Sequence, residues 1–400
     1  MELKPGYKLT EVGAIPDGWN CLPIEKVMSD ISMGPFGSDI KVEYFQPQGI
    51  PVLNGFNVKD IILNDRIVNF VTPQKAAALK KAVAYRGDIV ITHRGTIGQV
   101  SVIPFDSKFK QYVISQSQFR VTLNRNKANP LYVVYFFHTT KGQNALLEKK
   151  GYTGVPALAQ PTTNFRKLYI PLPILSEQTA IATVLSDMDA LLDSLDRLIA
   201  KKRDIKQAAM QELLTGKKRL PGFDGEWEVK RLGDVLTICH GKNQRNVEVV
   251  GGAYPILATG GQIGTTNYFL YDKPSVLIGR KGTIDRPQYI ATPFWTVDTL
   301  FYSVIKDKNS AKFLYYRFNL VHWMLYNEAS GVPSLNARTI ENIEFAIPKS
   351  IEQTAIAKVL SDMDAEIEAL EERRTKTQNI KQGMMQELLT GKTRLIAQEG

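Results

Sequence analysis

The chain contains 400 residues, more than one ordinary hydrophobic core holds, so its length predicts two or three domains. Hydrophobic residues make up 44% and charged residues 22%, which excludes a disordered or fibrous protein, and the apolar runs are too short to span a membrane. The formal net charge of +10 favours a polyanionic partner, although a basic domain without such a partner has the same composition.

The first predicted domain covers residues 1–173. Residues 1–170 contain 21 Lys and Arg against 12 Asp and Glu, so most of the net charge lies here. Short β-branched and aromatic runs, such as Ile50 to Leu53 and Phe119 to Leu123, alternate with Gly, Asn and Pro. This pattern is typical of a β-rich α+β domain. The N-terminal residues lack the apolar core of a signal peptide, which predicts a cytoplasmic protein.

A helix predicted over residues 174–216 occurs twice in the chain. EQTAIATVLSDMDA at Glu177–Ala190 returns as EQTAIAKVLSDMDA at Glu352–Ala365, and 28 of the 44 residues from Glu177 to Leu220 are identical in the second copy. The chain is therefore an internal duplication. The second copy predicts a helix over residues 349–391, followed by a C-terminal tail at 392–400.

Apolar residues in both copies are spaced at steps of three and four, which predicts a coiled-coil seam. The series includes Ile199 and continues at Ile205 in the first copy, and it resumes at Ile380 in the second. Only short connections join each helix to its neighbouring domains. Antiparallel helices with one domain at each end are therefore expected, related by a pseudo-two-fold axis.

The second predicted domain, residues 217–348, resembles the first in outline but not in most of its residues. Both domains contain a strand followed by a basic-Gly-Thr-Ile step, and both contain a later Gly-Val-Pro turn, at Gly154 and Gly331. The helices have kept their sequence while the domains have diverged. This contrast predicts two copies of one partner on the helices and two different ligand features at the domains.

Several identical helix residues are polar and lie off the predicted seam, so packing of the helices does not require them. A recent duplication would also leave them identical, but it would leave the domains matched as well, unless a domain had been exchanged since. We therefore predict that they contact partners: Gln178, Asp187, Asp189, Gln207, Gln211, Gln353, Asp362, Asp364, Gln382 and Gln386.

The order of domain, EQxAIAxVLSDMDA and MQELLTGKxRL helix, second domain and second such helix resembles the specificity subunit of type I restriction-modification systems. The resemblance covers nearly the whole chain. It implies that each domain is a target recognition domain for one half of a bipartite sequence in double-stranded DNA, and that the helices set the gap between the halves. It also implies partners: two adenine methyltransferase subunits docked on the helices, and restriction subunits with translocase and nuclease activity.

Side chains that read DNA offer donors and acceptors to base edges, with Lys and Arg on phosphates. Loops with such residues occur in both domains, whereas Trp19 and Trp227 are expected to pack internally. The candidates in the first domain are His93, Arg94, Thr96, Lys108, Lys110, Gln111, Gln116 and Tyr152, and those in the second are Lys242, Asn243, Gln244, Arg245, Arg280, Lys281, Thr283 and Asn336.

No catalytic motif accompanies these candidates. A phosphate-binding loop ending in Gly391-Lys-Thr would need glycine where Gln386 stands, and the four histidines lack metal-ligand spacing. Cys21 and Cys239 support neither a disulfide framework nor a zinc site. We therefore predict a non-catalytic subunit that holds no cofactor or metal; by the resemblance, S-adenosylmethionine, ATP and magnesium belong to its partners. The alternative is a helical scaffold whose end domains bind proteins.

Overall fold

The computed structural model describes residues 3, 5–148, 150–151 and 155–396. The described chain forms two units, one from residues up to 194 together with those from 375 onward, and one from residues 195–374. Each unit contains a β-rich domain and parts of two long helices. The first and second domains below are the globular parts of the first and second units.

The first domain is built around two four-stranded sheets, with strand orders β4-β11-β8-β9 and β6-β5-β10-β7. Its strands are β1 (Tyr7–Thr10), β2 (Gly13–Pro16), β3 (Asn20–Pro23), β4 (Met28–Met33), β5 (Ile50–Val52), β6 (Asn69–Val71), β7 (Val83–Tyr85), β8 (Ile89–Thr92), β9 (Val100–Val102), β10 (Gln111–Val113), β11 (Gln118–Leu123), β12 (Lys150–Gly151), β13 (Ala157–Leu158) and β14 (Tyr169–Leu172). Its helices are α1 (Pro73–Ala78), α2 (Pro130–Phe137), α3 (Thr140–Leu147) and α4 (Pro161–Arg166).

The first long helix, α5 (Leu175–Leu213), precedes a second domain with a four-stranded sheet of order β16-β22-β19-β20 and a three-stranded sheet of order β18-β17-β21. The strands of this domain are β15 (Glu228–Arg231), β16 (Leu236–Cys239), β17 (Tyr254–Ala258), β18 (Gly261–Thr266), β19 (Ser275–Gly279), β20 (Gln288–Ile290), β21 (Trp295–Thr296), β22 (Leu300–Ile305) and β23 (Glu344–Ile347). The remaining helices are α6 (Leu232–Val235), α7 (Ala311–Phe318), α8 (Ala337–Glu341) and the second long helix, α9 (Ser350–Leu388).

The sheets that contain β8 and β19 have the same construction. In each, an antiparallel central strand lies between a longer strand and a short hairpin partner. Alternate residues of β8 enter different cores: Ile89 and Ile91 pack with α2, while Val90 packs with the second sheet. A strand covered on both faces needs apolar residues at every position, which is why both strands are continuous apolar runs. The α+β prediction is confirmed.

The two long helices run antiparallel within each unit, as predicted. In the second unit, moving from Asp196 to Lys206 along α5 moves the ion-pair partner from Arg374 back to Asp364 along α9. In the first unit, Asp189 of α5 pairs with Lys381 of α9. Both helices stop before a glycine with positive φ, Gly216 at 73° and Gly391 at 71°, where a left-handed residue closes the last turn.

One part of the predicted seam is wrong. Ile205 and Ile380 are 44% and 48% exposed, whereas Lys381 is only 8% exposed. Beyond Ile199 the steps of four and three pass through Lys202 and Lys206 in α5, and through Thr377 and Lys381 in α9. These lysines occupy seam positions because carboxylates on the opposing helix neutralise them.

Candidate nucleic-acid interface

Four chain segments of the first domain meet beside the end of β8, and together they are called the first reading face. The basic turn at His93–Thr96 follows β8 directly. Its Gly95 N–H donates to the Pro156 carbonyl at 2.9 Å, and the Leu158 N–H donates to the His93 carbonyl at 2.8 Å. The turn is therefore fastened to the segment that follows the Gly-Val-Pro turn. Gly154 of that turn, and the predicted contact Tyr152, lie outside the described residues.

The third segment of this face is the turn before β11, residues 115–118. The His93 N–H donates to the Ser117 carbonyl at 2.8 Å, and His93 Nε2 lies 3.2 Å from the Gln116 carbonyl. The fourth segment follows β4, where the Gly34 N–H donates to the Gln118 carbonyl at 2.8 Å. These bonds place His93, Arg94, Thr96 and Gln116 on one surface, with the last three side chains exposed.

The second domain repeats this construction, and its version is called the second reading face. The Gly282 N–H donates to the Pro333 carbonyl at 2.8 Å, and the Leu335 N–H donates to the Arg280 carbonyl at 2.9 Å. The Arg280 N–H in turn donates to the Thr299 carbonyl at 2.8 Å. Each of these bonds has its counterpart in the first face, so the two surfaces correspond segment by segment.

The polar loop after β16 joins the second reading face. The Lys242 N–H donates to the Thr296 carbonyl at 2.8 Å, and Trp295 Nε1 donates to the Lys242 carbonyl at 2.9 Å. The structure thus brings together the second-domain residues that the sequence analysis selected: Lys242, Asn243, Gln244, Arg245, Arg280, Lys281, Thr283 and Asn336. Arg280, Lys281 and Asn336 line a cleft of about 530 Å³ together with His240 and Glu328.

Asn336 also has a structural role in this cleft. Its side-chain oxygen accepts the Arg338 N–H at 2.9 Å and caps α8. An N-cap satisfies one of the otherwise unpaired N–H groups at a helix start. The exposed amide can still donate to a ligand.

Three first-domain candidates lie apart from the first reading face. Lys108 and Lys110 precede β10 and Gln111 begins it, whereas Gln116 follows its other end. The Lys108 N–H donates to Asp65 Oδ2 at 3.2 Å, and the Lys108 ammonium lies 5.3 Å from the Phe109 ring centroid. This separation assigns the exposed Lys108 and Lys110 to another part of the domain surface.

The electrostatics of the first reading face are set by burial of His93. Burial lowers the pKa of its imidazole below the usual value, and the neighbouring Arg94 acts in the same direction. The ring is neutral at pH 7, so it presents one donor and one acceptor nitrogen rather than two donors. Because the Gln116 carbonyl only accepts, the Nε2–H of this ring is used inside the protein, and the side chains that can donate to base edges on this face are the exposed Arg94 and Gln116.

The duplicated helices carry a duplicated buried ion pair. In the first unit, Arg394 Nε and Nη2 donate to the two oxygens of Glu177 at 2.6 and 2.8 Å, and Glu177 is fully buried. Trp19 Nε1 also donates to Glu177, at 3.2 Å. In the second unit, Arg219 makes the same two-bond contact with Glu352, at 2.5 and 2.7 Å. The arginine within each MQELLTGKxRL segment thus fixes the start of the other long helix.

Gln178 and Gln353 do not belong to a partner-binding surface. They are 1% and 2% exposed. Gln178 accepts the Asn129 N–H at 2.9 Å and donates to the Pro173 carbonyl at 2.9 Å. Gln353 makes the same two contacts, with Ser310 and Pro348. The repeated glutamine therefore ties each helix start to its own domain, which explains its presence in both copies.

Asp189 and Asp364 are likewise occupied inside their units. Tyr135 donates its hydroxyl to Asp189 at 2.7 Å, and Lys381 pairs with the other carboxylate oxygen. Tyr316 and Lys206 make the corresponding contacts with Asp364. Burial, reinforced by the hydrogen bond to the carboxylate, raises the pKa of both tyrosines well above the usual value. Both aspartates therefore contribute to domain–helix packing, and because their side chains are still 34% and 43% exposed, contact with a partner stays a prediction.

Comparison with known proteins decides the family. The family model of the type I restriction modification DNA specificity domain matches residues 49–202 and again residues 224–382. The chain belongs to this family. It is therefore a non-catalytic DNA specificity subunit of a type I restriction-modification system.

Similar specificity subunits span the whole chain. The putative type I restriction enzyme MjaX specificity subunit of Methanocaldococcus jannaschii is 24% identical over 97% of both chains. The MjaIX specificity subunit of the same organism is 23% identical over 86% of both. Among solved structures, the type I restriction-modification S subunit from M. genitalium matches 96% of this chain and 99% of its own, with a TM-score of 0.64 and 17% identity. That last likeness supports the fold.

The specificity subunit keeps some of its repeated helix residues exposed. Asp187, Gln207, Gln211, Gln382 and Gln386 lie on the surface, as does Asp362, which pairs with Lys358 at 2.8 Å. In the first unit, Gln382 and Gln386 line a cleft of about 610 Å³, together with Met385, Phe136 and Lys141. An apolar floor with polar groups at its edge suits an inserted side chain.

Among the described residues, no group of His, Cys, Asp or Glu side chains could hold a metal ion, and no helix could cross a membrane. Cys21 and Cys239 are both free thiols.

Two residues of the specificity subunit's reading faces were not predicted from the sequence. Asp298 is exposed in the second face, where its carbonyl accepts a hydrogen bond from Arg280 Nη1 at 3.2 Å, and it occupies the position of Gln116. Phe36 is exposed in the first face. Aligning each segment that enters β11 or β22 could have found Asp298, but an exposed phenylalanine gives no sequence signal.

Proposed function

We propose that each domain reads one half of a bipartite DNA target, while the two long helices fix the gap between the halves and dock two methyltransferase subunits. The observation that carries the proposal is the repeated reading face, with the same backbone bonds and different exposed side chains. A shared scaffold with divergent side chains is what two different half-sites require. Restriction subunits join the same complex in the cytoplasm, where its DNA lies.

The side chains of the two faces suit the edges of different bases. Arginine and lysine pair with guanine, glutamine and asparagine with adenine, and a carboxylate accepts from the cytosine amine. Gln116 and Asp298 occupy corresponding positions, so this one position would read different bases in the two domains. Lys108, Lys110 and other basic side chains of the first domain would contact phosphates. Such contacts hold the protein in register on the DNA without selecting a sequence.

The methyltransferase subunits would dock on the exposed repeated residues Asp187, Gln207 and Gln211 of α5 and on Asp362, Gln382 and Gln386 of α9. The cleft beside Gln382 and Gln386 supports this surface, because partner interfaces centre on a filled apolar pocket with a polar edge. S-adenosylmethionine would be bound by these partners, and ATP and magnesium by the restriction subunits.

The proposal is tested by measuring binding of the full chain, assembled with its cognate methyltransferase, to duplexes that carry the target. Mapping methylated adenines in cells that express both proteins identifies that target. Lys281→Ala should relax selectivity at a position of one half-site, whereas Lys110→Ala should weaken binding to all sequences alike and reduce its salt dependence. Binding without selectivity at every salt concentration would refute the proposal and favour the scaffold alternative.

A further inference from the structure

Phe36 is an exposed aromatic residue at the tip of the first reading face. Its side chain is 82% exposed, although the preceding residue, Pro35, is buried. It lies in the segment after β4 that contacts the turn at residues 115–118. A phenylalanine exposed to this extent contributes nothing to its own core, and this one stands among the donors and acceptors of the face.

The backbone on both sides of Phe36 is tightly held. A Cβ atom at Gly34 would lie 1.9 Å from the Ser115 carbonyl oxygen, so only glycine fits there. A Cβ atom at Gly37 would lie 2.5 Å from Oε1 of Gln116. The Asp39 N–H also donates to the Phe36 carbonyl, at 2.9 Å. The ring is thus presented by a fixed backbone beside Gln116, a predicted base contact.

The corresponding loop of the second domain shows which residue there takes the place of Phe36. Gly241 matches Gly34: each follows the edge strand of its sheet, and a Cβ atom at Gly241 would lie 2.0 Å from the Val297 carbonyl oxygen. Counting on from these glycines, Phe36 corresponds to Asn243, in the donor-rich loop Lys242–Arg245. The first domain therefore has an aromatic ring where the second has hydrogen-bonding groups.

We infer that Phe36 is an apolar wedge that inserts at a base step of the first half-site. Phenylalanine inserted between bases unstacks them and kinks the duplex, and the step that yields most readily is preferred. The wedge rests on the proposed function, because it requires the first domain to read DNA. It adds selection by deformability to a face whose neighbouring side chains select by hydrogen bonding.

The test uses the full chain in complex with its methyltransferase, and duplexes with 2-aminopurine at successive positions of the first half-site, leaving out the methylated adenine and its neighbours because a methyltransferase flips its target base out of the stack. The unaltered complex should raise the 2-aminopurine fluorescence at one step. Phe36→Ala should abolish this rise and weaken binding at least fivefold, in keeping with about 1–3 kcal/mol for stacking on one base. Phe36→Leu, which keeps a wedge, should retain part of both effects.

Phe105→Ala is the matched control. Phe105 is 54% exposed and belongs to the same domain, but it lies against Gly87 at the start of β8, opposite the reading face. The complex that contains Phe105→Ala should bind DNA as tightly as the unaltered complex and raise the 2-aminopurine fluorescence by the same amount. The wedge is refuted if no step shows increased fluorescence, if Phe36→Ala binds normally, or if that variant loses the methyltransferase instead of DNA. Loss of selectivity by the unaltered complex would refute the proposed function and the wedge together.

Discussion

Glu177 shows how one buried carboxylate can join three distant parts of a chain. It lies at the start of α5, accepts from Trp19 in the first domain and pairs with Arg394 beyond the end of α9. Removing one partner of a buried pair leaves an uncompensated charge, which costs far more than the pair itself contributes. We therefore expect Arg394→Ala to destabilise the protein by about 3 kcal/mol.

Urea denaturation of a double-mutant cycle checks this expectation. Glu177→Gln removes the charge and keeps hydrogen-bonding groups, so Arg394→Ala should cost clearly less in that background than alone. Equal costs in the two backgrounds would show that Glu177 and Arg394 do not interact. Lys392→Ala, an exposed neighbour of Arg394, serves as the control for changes near the C-terminus.

His138 makes the stability of the protein depend on pH. Its Nε2 lies 2.7 Å from the Val100 carbonyl, and burial lowers the pKa of the imidazole. In the unfolded chain this pKa is about 6.5. Below that pH the unfolded chain binds a proton that the folded chain does not, so stability falls as the pH drops from 7 towards 5, by up to about 1.4 kcal/mol per pH unit.

His138→Gln should reduce this slope, because glutamine does not titrate. Free energies of unfolding measured from pH 5 to 8 give the slope for each protein. His93 titrates in the same direction and is retained in the variant, so part of the slope should remain. An unchanged slope would contradict the assignment to His138.

Residue roles on the helices were harder to predict than residue positions. Repetition of Gln178 as Gln353 marks both as required by both copies, but the sequence does not distinguish an internal bond from a contact with a partner. The structure shows that the bond is internal. The backbone N–H of Asn129 donates to Gln178, and the backbone N–H of Ser310 donates to Gln353 in the same way, although the two domains differ in sequence. Both domains were predicted to contain a basic turn and a Gly-Val-Pro turn, but their contact was not predicted, because the bonds that join them span long sequence separations.

At the scale of elements, the long helices show where periodicity succeeds and fails. The duplicated seam was predicted through Ile199 because apolar residues mark it there. Beyond that point polar residues fill the seam, and Ile205 was selected although it is exposed. A lysine can be assigned to the seam only when its carboxylate partner on the antiparallel helix is known.

Matched deletions test the helices as the determinant of the gap. Removing seven residues from α5 and seven opposing residues from α9 keeps the seam in register and shortens each helix by about 10 Å. Because base pairs rise by about 3.4 Å, the permitted gap should shrink by about three base pairs. Methylated-adenine mapping measures the gap. Deletion from α5 alone should instead break the ion pairs and destabilise the protein, and an unchanged gap in the matched variant would contradict the helices' role.

At the scale of the whole molecule, the charge is divided unequally. Residues 1–170 carry a surplus of nine positive charges, whereas residues 221–348 contain 13 Lys and Arg against 12 Asp and Glu. The two domains share a fold and the construction of their reading faces. The difference in net charge is therefore a difference between their surface side chains. We therefore expect the first domain to make the larger counterion-releasing contribution in the proposed complex.

The central claim is that the two domains read DNA independently, each through its own reading face. Exchange of residues 1–173 for the corresponding domain of another family member tests it, when the chimaera is expressed with its methyltransferase and methylated adenines are mapped across the genome. One half of the recognised sequence should change, while the other half and the gap are retained. A change in both halves would contradict the claim.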